Sequence, residues 1–500
     1  MDIGQRRALD RTKIAMDPEI KALGRVKNAV KLSPPHPGKF PRDQWGSILD
    51  AMIYSLGPYK TQTTNLVRDN IKTPKPSITM ATLSPAQIDI IKSTVPILRE
   101  HGRVVATTFY ANMLAAHPEL QNYFSLRNQQ TGAQQIALSN AVLAAAIHIE
   151  RLQDIAGAVD RIAQKHVSLF ILPEHYPIVG KYLIGAFQQI LGDAFTPEIK
   201  DAWVIAYGLL ADIFIKREVE LYAEAGWQGW RDFTIEDKVD EAENVTSFYL
   251  KPVDGKPLPE FLPGQYVSLQ IPIPELNGVF QSRQFSLSLS PRQSADHYRI
   301  TVKLDKDGLE HTVEEVVSGK VAGLVSQRLH EQYKVGDVVQ LSPPHGEFTF
   351  SAAATPATAP VVLLSAGVGV TPLLSILDTI LESSSQASRP VTWIHGARHS
   401  GAVTYGKYIR EAEKKHSNLS TKIFLKNVQE GDQKGQQYDY EGRMDLDALE
   451  ADGVLPLKDA SAEYYICGPE EWMVQTRAGL EKKGVSLEKQ HLELFRTGTL

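Results

Sequence analysis

The hydrophobic pattern changes character twice along this chain. From Leu83 to about Tyr222 apolar positions recur at the helical period, and alternating β-branched runs are absent. Leu83-Ser84-Pro85 predicts a helix start, with Ser84 as N-cap and Pro85 at the first helical position. Leu152, Ile155, Val159, Ile162 and His166 fall at spacings of 3, 4, 3 and 4, which predicts one apolar helix face ending in an imidazole. A histidine so placed is either a satisfied core residue or a ligand. Residues 223–229 (Ala-Glu-Ala-Gly-Trp-Gln-Gly) predict a linker. Short strands follow at Phe248 to Leu250, Tyr266 to Ile271, Tyr298 to Val302 and Val338 to Leu341. Turn signals such as Asp254-Gly255 and Asn277-Gly278 separate them, and this spacing predicts an antiparallel barrel. Beyond the small-residue and proline stretch Ser351 to Pro360, buried strands at Val361 to Leu364, Val391 to His395, Lys422 to Leu425 and Tyr464 to Ile466 alternate with helical stretches, the first starting from Pro372. That alternation predicts a parallel, doubly wound α/β domain. Residues 1–79, rich in proline and polar residues, predict a mostly unstructured extension.

Composition narrows the class. The 500 residues are 43% hydrophobic and 22% charged, enough apolar material for several cores. No run reaches the ~18 consecutive apolar residues of a membrane span, so no integral membrane segment is expected. Cys467 is the only cysteine, which excludes an intramolecular disulfide framework and a cysteine zinc cluster and favours a reducing, cytoplasmic compartment. The net charge of −5 divides into +7 over residues 1–79 and −12 over the rest. The basic head keeps a mitochondrial address open, although Asp2, Asp10, Asp17 and Glu19 count against a transit peptide. The acidic body does not suit nucleic acid, because phosphate affinity needs concentrated Lys and Arg.

Four motifs carry candidate chemistry in the second half. Gly367-Val368-Gly369-Val370-Thr371-Pro372 follows a buried strand and opens a helix, where small residues and free N–H groups let a phosphate approach. Arg283-Gln284-Phe285-Ser286 offers a charge, a stacking ring and a hydroxyl on one strand, or is simply a strand with alternating faces. Leu262-Pro263-Gly264-Gln265-Tyr266 adds a second aromatic, and Cys467-Gly468-Pro469 ends another buried strand.

The order of these motifs resembles the ferredoxin-NADP reductase family, an FAD barrel joined to a pyridine-nucleotide domain. That resemblance implies that Tyr266, Arg283, Gln284, Phe285 and Ser286 hold FAD, that Gly367 to Pro372 hold NAD(P)H, and that Cys467, Gly468 and Pro469 flank the nicotinamide. Phe285 replaces the usual tyrosine. Gly323-Leu324-Val325-Ser326 most nearly matches the flavin-pyrophosphate helix, after a longer stretch than usual from Lys306 to Val321.

The helical half resolves next. Thr108 to Met113, His117-Pro118-Glu119-Leu120, Phe124, Ala163-Gln164-Lys165-His166 and Pro173-Glu174-His175-Tyr176 look like the flavohemoglobin family of nitric oxide dioxygenases, a likeness covering about residues 83–500. It implies a multidomain fold: an extension over 1–79, an all-α globin over 83–222, an antiparallel FAD barrel over 228–352 and an α/β NAD(P) domain over 358–500. It implies haem b with His166 as the proximal iron ligand, backed by Tyr176 and Glu218, with Tyr110 and Gln134 on the distal side, Leu138 one turn beyond, and Phe124 against the haem. Leu494 and Phe495 match the terminal strand near the flavin, although Arg496-Thr497 replaces the usual Gly-Pro. The implied reaction consumes NO and O₂ at the cost of NAD(P)H, in a protein expected to be a monomer. Reduction of peroxides or other acceptors stays open, as does NADH against NADPH: Arg398 either meets a 2′-phosphate or is a surface residue. A gas sensor, the alternative class, should carry an output domain in place of the reductase.

Overall fold

The computed structural model describes residues 82–305, 313–321, 323–353 and 356–495. The basic head and Arg496-Thr497 lie outside the described residues. The helical half is built from α1 (Pro85–Ser93), α2 (Val95–Ala116), α3 (Leu126–Thr131), α4 (Ala133–Ile147), α5 (Ala156–Ser168), α6 (His175–Leu191) and α7 (Pro197–Glu224). Ser84 caps α1 as expected: its hydroxyl accepts from the Gln87 N–H while the Gln87 side chain accepts from the Ser84 N–H, and Pro85 opens the first turn. The stripe that ends in His166 is split, because Leu152–Ile155 form a separate 3₁₀ turn and α5 begins only at Ala156. Val159, Ala163 and Val167 still bury one face of α5 against α7, where Ala211, Phe214 and Ile215 pack.

Twelve strands form two six-stranded sheets among the described residues. The first contains β1 (Arg231–Ala242), β2 (Val245–Pro252), β3 (Tyr266–Ile273), β4 (Val279–Ser286), β5 (Tyr298–Lys303) and β6 (Val338–Leu341), in the order β4-β3-β6-β1-β2-β5. Each pairing is antiparallel, and the sheet curls until Leu287, just past β4, bridges Ile300 of β5. β1 is twelve residues long but dense in charge; only Phe233 and Ile235 face the core fully, so an apolar-run reading passes over it. Short helices α8 (Val313–Val317) and α9 (Leu324–Glu331) lie beside the barrel. Gly323 opens α9 at φ 70, where a Cβ would stand 2.5 Å from the Asp305 carbonyl oxygen, so glycine is required. Lys238 closes the other end, donating to the carbonyls of Leu329, His330 and Tyr333.

The second sheet contains β7 (Val361–Ala366), β8 (Val391–Ala397), β9 (Leu419–Leu425), β10 (Tyr440–Glu441), β11 (Glu463–Cys467) and β12 (Gln490–Glu493), all parallel, in the order β10-β9-β8-β7-β11-β12. Helices α10 (Val370–Glu382), α11 (Gly406–Lys415), α12 (Leu446–Ala451) and α13 (Glu470–Lys482) complete this half. Helix α10 starts two residues before Pro372, which is tolerated because N–H groups of a first turn have no intrahelical acceptor. No described helix is long and apolar enough to cross a membrane.

A knot of buried hydroxyls joins the two sheets. Ser247 and Ser288 bond Thr301 at 2.8 and 3.0 Å, and the Tyr405 hydroxyl from the α/β half reaches Thr301 between them. Nearby, Asp378 of α10 is 3% exposed and accepts from the Tyr408 hydroxyl at 2.7 Å. Burial pushes its carboxyl up to about 7, against the partial restraint of that hydrogen bond. An unfolded aspartate titrates near ~3.9, so the folded state favours the neutral acid. This contribution is complete at pH below that value and is lost as pH rises through about 7. Asp378→Asn should therefore flatten the loss of stability between about pH 5 and pH 8, by roughly 2 kcal/mol, when unfolding is followed across pH.

Candidate functional site

A cavity of about 1180 Å³ runs from the interior of the helical layer to strand β4 and the turn after β7. Its inner walls are apolar, from Ile91, Met113, Val142, Leu183 and Leu210 among others. One histidine of the proximal wall is held from behind. His166 Nδ1 lies 2.8 Å from Glu218 Oε1 and 3.2 Å from the Tyr176 hydroxyl, and that hydroxyl donates to the same carboxylate oxygen at 2.5 Å. With Nδ1 committed, Nε2 is the nitrogen left for a metal. Glu218 is 2% exposed, and its Oε2 has no partner among the described residues. The adjacent carboxylate and burial together raise the Tyr176 phenol above its ordinary range. Phe214 packs beside the imidazole at 5.8 Å between centroids, and the Tyr207 hydroxyl bonds the Tyr176 carbonyl at 2.6 Å.

The opposite wall carries Tyr110 of α2, buried, with Gln134 and Leu138 of α4 lining the same space. Burial raises the Tyr110 phenol, and a hydrogen bond from Gln134 restrains the rise. Phe124 meets the Tyr110 ring edge-on, 5.3 Å between centroids at 77°. An imidazole on one wall of a largely apolar cavity, with a phenol on the opposite wall, fits the haem expected from the sequence.

Towards β4 the lining turns polar: Arg283, Gln284, Phe285 and Ser286 all border the cavity. Arg283 has no ion-pair partner among the described residues and donates only to the Ser282 carbonyl at 2.6 Å; desolvation draws its guanidinium down to about 10. The Ser286 hydroxyl is buried with no hydrogen-bond partner among the described residues. Ser326 and Gly323, at the start of α9, border the same space, Ser326 Oγ accepting from the Asp305 N–H at 3.3 Å. An unpaired cation, an unused hydroxyl and a helix N-terminus fit a phosphate-bearing cofactor such as FAD. Tyr266 of β3 is buried and pairs across the strands with Ser286 of β4, and burial raises its phenol above the ordinary range.

Val368, Thr371 and Phe495 border the cavity where it meets the α/β half. Gly367, Gly369, Val370 and Pro372 complete one turn there, and Cys467, Gly468 and Pro469 the other. The two turns nearly touch: a Cβ on Gly369 would stand 2.1 Å from the Cys467 carbonyl oxygen. The Cys467 side chain is wholly buried, and burial raises its thiol well above the ordinary range. Leu494 packs into the core behind the sheet.

Two charged residues that the sequence does not single out also meet here. Lys165 borders the cavity, and burial lowers its ammonium. Glu493, 8% exposed at the end of β12, is pushed up to about 8 by burial, with Lys165 and Arg161 among the charges opposing the rise. A lysine and a glutamate in helix- and strand-end positions read as solvated charges until the tertiary structure covers them.

Comparison with known proteins places this architecture. A globin family profile matches residues 107–214, and an oxidoreductase NAD-binding domain profile matches residues 363–478. A flavohemoprotein of Bordetella pertussis is 42% identical over 421 residues, covering 83% of this chain and 99% of that protein. One from Deinococcus radiodurans is 42% identical over 418 residues, covering 83% and 97%. The crystal structure of a flavohemoglobin from Malassezia yamatoensis, with bound FAD and heme, superposes with a TM-score of 0.69 at 28% identity, covering 83% of this chain and all of that one.

The close approach of the two turns is directly testable. Gly369→Ala should cost several kcal/mol, on the order of 3, because backbone rather than a flexible side chain must move. Gly367→Ala, at φ 56 but with open space around it, should cost about 1 kcal/mol. Thermal unfolding would show Gly369→Ala, at a helical φ of −60, losing less than Gly367→Ala if the turns did not touch.

Proposed function

Because the chain belongs to the flavohemoprotein family, we propose that it is an NAD(P)H-dependent nitric oxide dioxygenase holding haem b and FAD, which consumes NO and O₂ and releases nitrate. The observation that carries this reading is His166 bordering the cavity, held by the buried Glu218 and Tyr176, in a space that continues to Arg283 and Ser286. When bound, haem supplies one-electron oxygen chemistry and FAD the step from a two-electron hydride donor to a one-electron acceptor.

The residues of the chain do the rest. His166 offers Nε2 to the iron, while Glu218 Oε1 holds the proton at Nδ1 and fixes the plane of the ring. A buried carboxylate behind the imidazole makes it a stronger electron donor, which favours oxygen activation over simple release. Tyr110 keeps its proton at every working pH, since burial moves its phenol upward, and so remains a hydrogen-bond donor to a developing negative charge. Gln134 orients that hydroxyl, and Phe124 excludes water from the same side. Arg283 and Ser286 supply the charge and hydroxyl for the flavin, and the Gly367 to Pro372 turn with its helix N-terminus supplies N–H groups to the nucleotide phosphates.

Tyr110→Phe keeps the ring and removes the donor. Stopped-flow measurement should show O₂ leaving the reduced protein faster, and NO consumption lower, each by on the order of tenfold or more. An unchanged O₂ dissociation rate would sink the distal role. Glu218→Gln keeps an acceptor for both His166 and Tyr176 but removes the charge. It should retain haem, seen in the absorption spectrum, while the haem potential rises and NO consumption falls; an unchanged potential would exclude the electronic role of the carboxylate.

A further inference from the structure

Several hydrogen bonds tie the barrel to the helical half, among them four on either side of the haem pocket expected there. On the distal side, strand β4 is an edge strand of its sheet, so its outer N–H and C=O groups have no neighbouring strand. Asn122 takes the place of one: its Oδ1 accepts from the Phe280 N–H at 2.8 Å. Gln281, 1% exposed, does the converse for the helical half. Its Oε1 accepts from the Leu126 N–H at 3.1 Å and its Nε2 donates to the Phe124 carbonyl at 3.3 Å. One side-chain amide thus gives residues 124 and 126 the acceptor and donor that a paired strand would give. On the proximal side, Gln164 Oε1 accepts from the Gly346 N–H at 3.0 Å and Ser168 Oγ bonds Ser268 Oγ at 2.9 Å, two residues to either side of His166.

We propose that the barrel sets the spacing of the haem pocket, and that Gln281 and Asn122 are positioning residues that fix the Phe124 wall against the flavin strand. The inference rests on the haem and FAD reading given above. Gln281 stands two residues before Arg283 on β4, so the strand that borders the flavin region is hydrogen-bonded directly to the backbone of the ring that packs on Tyr110. Phe124 lies in the two-residue connection between a 3₁₀ turn ending at Tyr123 and the six-residue α3, which Leu126 opens, so little secondary structure of their own holds them. Their geometry is borrowed from the barrel. A buried polar amide is retained in such a place only if its bonds are made, because an unsatisfied one costs more than an apolar side chain of the same shape.

The test uses the full chain loaded with haem and FAD, comparing Gln281→Leu, Asn122→Ala and Asn122→Asp with the parent. Amide exchange over residues 122–128 should rise about tenfold or more in the first two, as expected for the loss of a buried hydrogen bond. The flavin fluorescence lifetime, which the haem quenches according to distance and orientation, should lengthen. After mixing with NADH, flavin reduction should keep its rate, while the subsequent haem reduction slows by about tenfold. Asn122→Asp should restore lifetime and haem reduction, because a carboxylate oxygen still accepts from the Phe280 N–H. Unchanged lifetime and haem reduction in Asn122→Ala would overturn the proposal, as would a parallel loss of flavin reduction, which marks general damage rather than misplacement. A parent chain whose absorption spectrum shows no haem after supplemented expression would overturn the proposed function instead, before any variant is made.

Discussion

A carboxylate taken wholly out of water dictates the arrangement of the helical half. Glu218 sits on the 28-residue α7, 2% exposed, and its charge is compensated by the imidazole of α5 and the phenol of α6. Burying an ion is tolerable only where its partners are in place, so these three helices must meet in one register or not at all. Removing either partner leaves an uncompensated charge rather than a missing contact. The same constraint explains why the neighbouring tyrosines are tied down as well: Tyr207 bonds the Tyr176 carbonyl, and Tyr222 bonds that of Ile171. The imidazole plane is therefore determined by helix packing, long before any ligand is considered.

The cavity shows how two modules become one site. Its helical end is rich in apolar side chains, and its other end is bordered by strand β4, the end of β5, the start of α9 and the turn after β7. Such a division suits a flat hydrophobic group at one end and a charged, phosphate-bearing one at the other. The charges where the halves meet behave accordingly: the Lys165 ammonium and the Glu493 carboxyl are both displaced towards neutrality by burial. Neither has such a property in its own segment; it arises only when the helical half covers the sheet edge.

Much of this was legible in the sequence, for physical reasons that differ by region. Apolar strands such as β7 and β11 are buried on both faces and so appear as unbroken runs, which is why Val361 to Leu364 and Tyr464 to Ile466 were recognisable. β1 was not, because one face is solvated and its charges outnumber its core residues. The capping box at Ser84 and the glycine turn after β7 depend on local chemistry and are read correctly from a few letters. Helix boundaries are less local: the 3₁₀ turn at Leu152–Ile155 and the early start of α10 depend on packing. Of the site, Tyr110, Gln134, His166, Tyr176 and Glu218 were legible only through resemblance, since each residue alone suits an ordinary core or surface position. Tyr266 is likewise placed beside the flavin only by motif, and in the sheet it pairs with Ser286 of that motif. Gln281 and Asn122 carry no motif at all, because what distinguishes them is a partner more than 150 residues away.

The lone cysteine takes on a different meaning under the proposed function, in which the chain handles nitric oxide and oxygen. Thiolates, not thiols, are the groups that such oxidants attack, and attack needs access. Cys467 is sealed beneath the contact of two turns, and its thiol is held protonated. With no other sulfhydryl in 500 residues, the folded protein presents such oxidants with no accessible thiolate. Packing of that thiol within the apolar core of the α/β half thus doubles as protection against self-inflicted chemical damage.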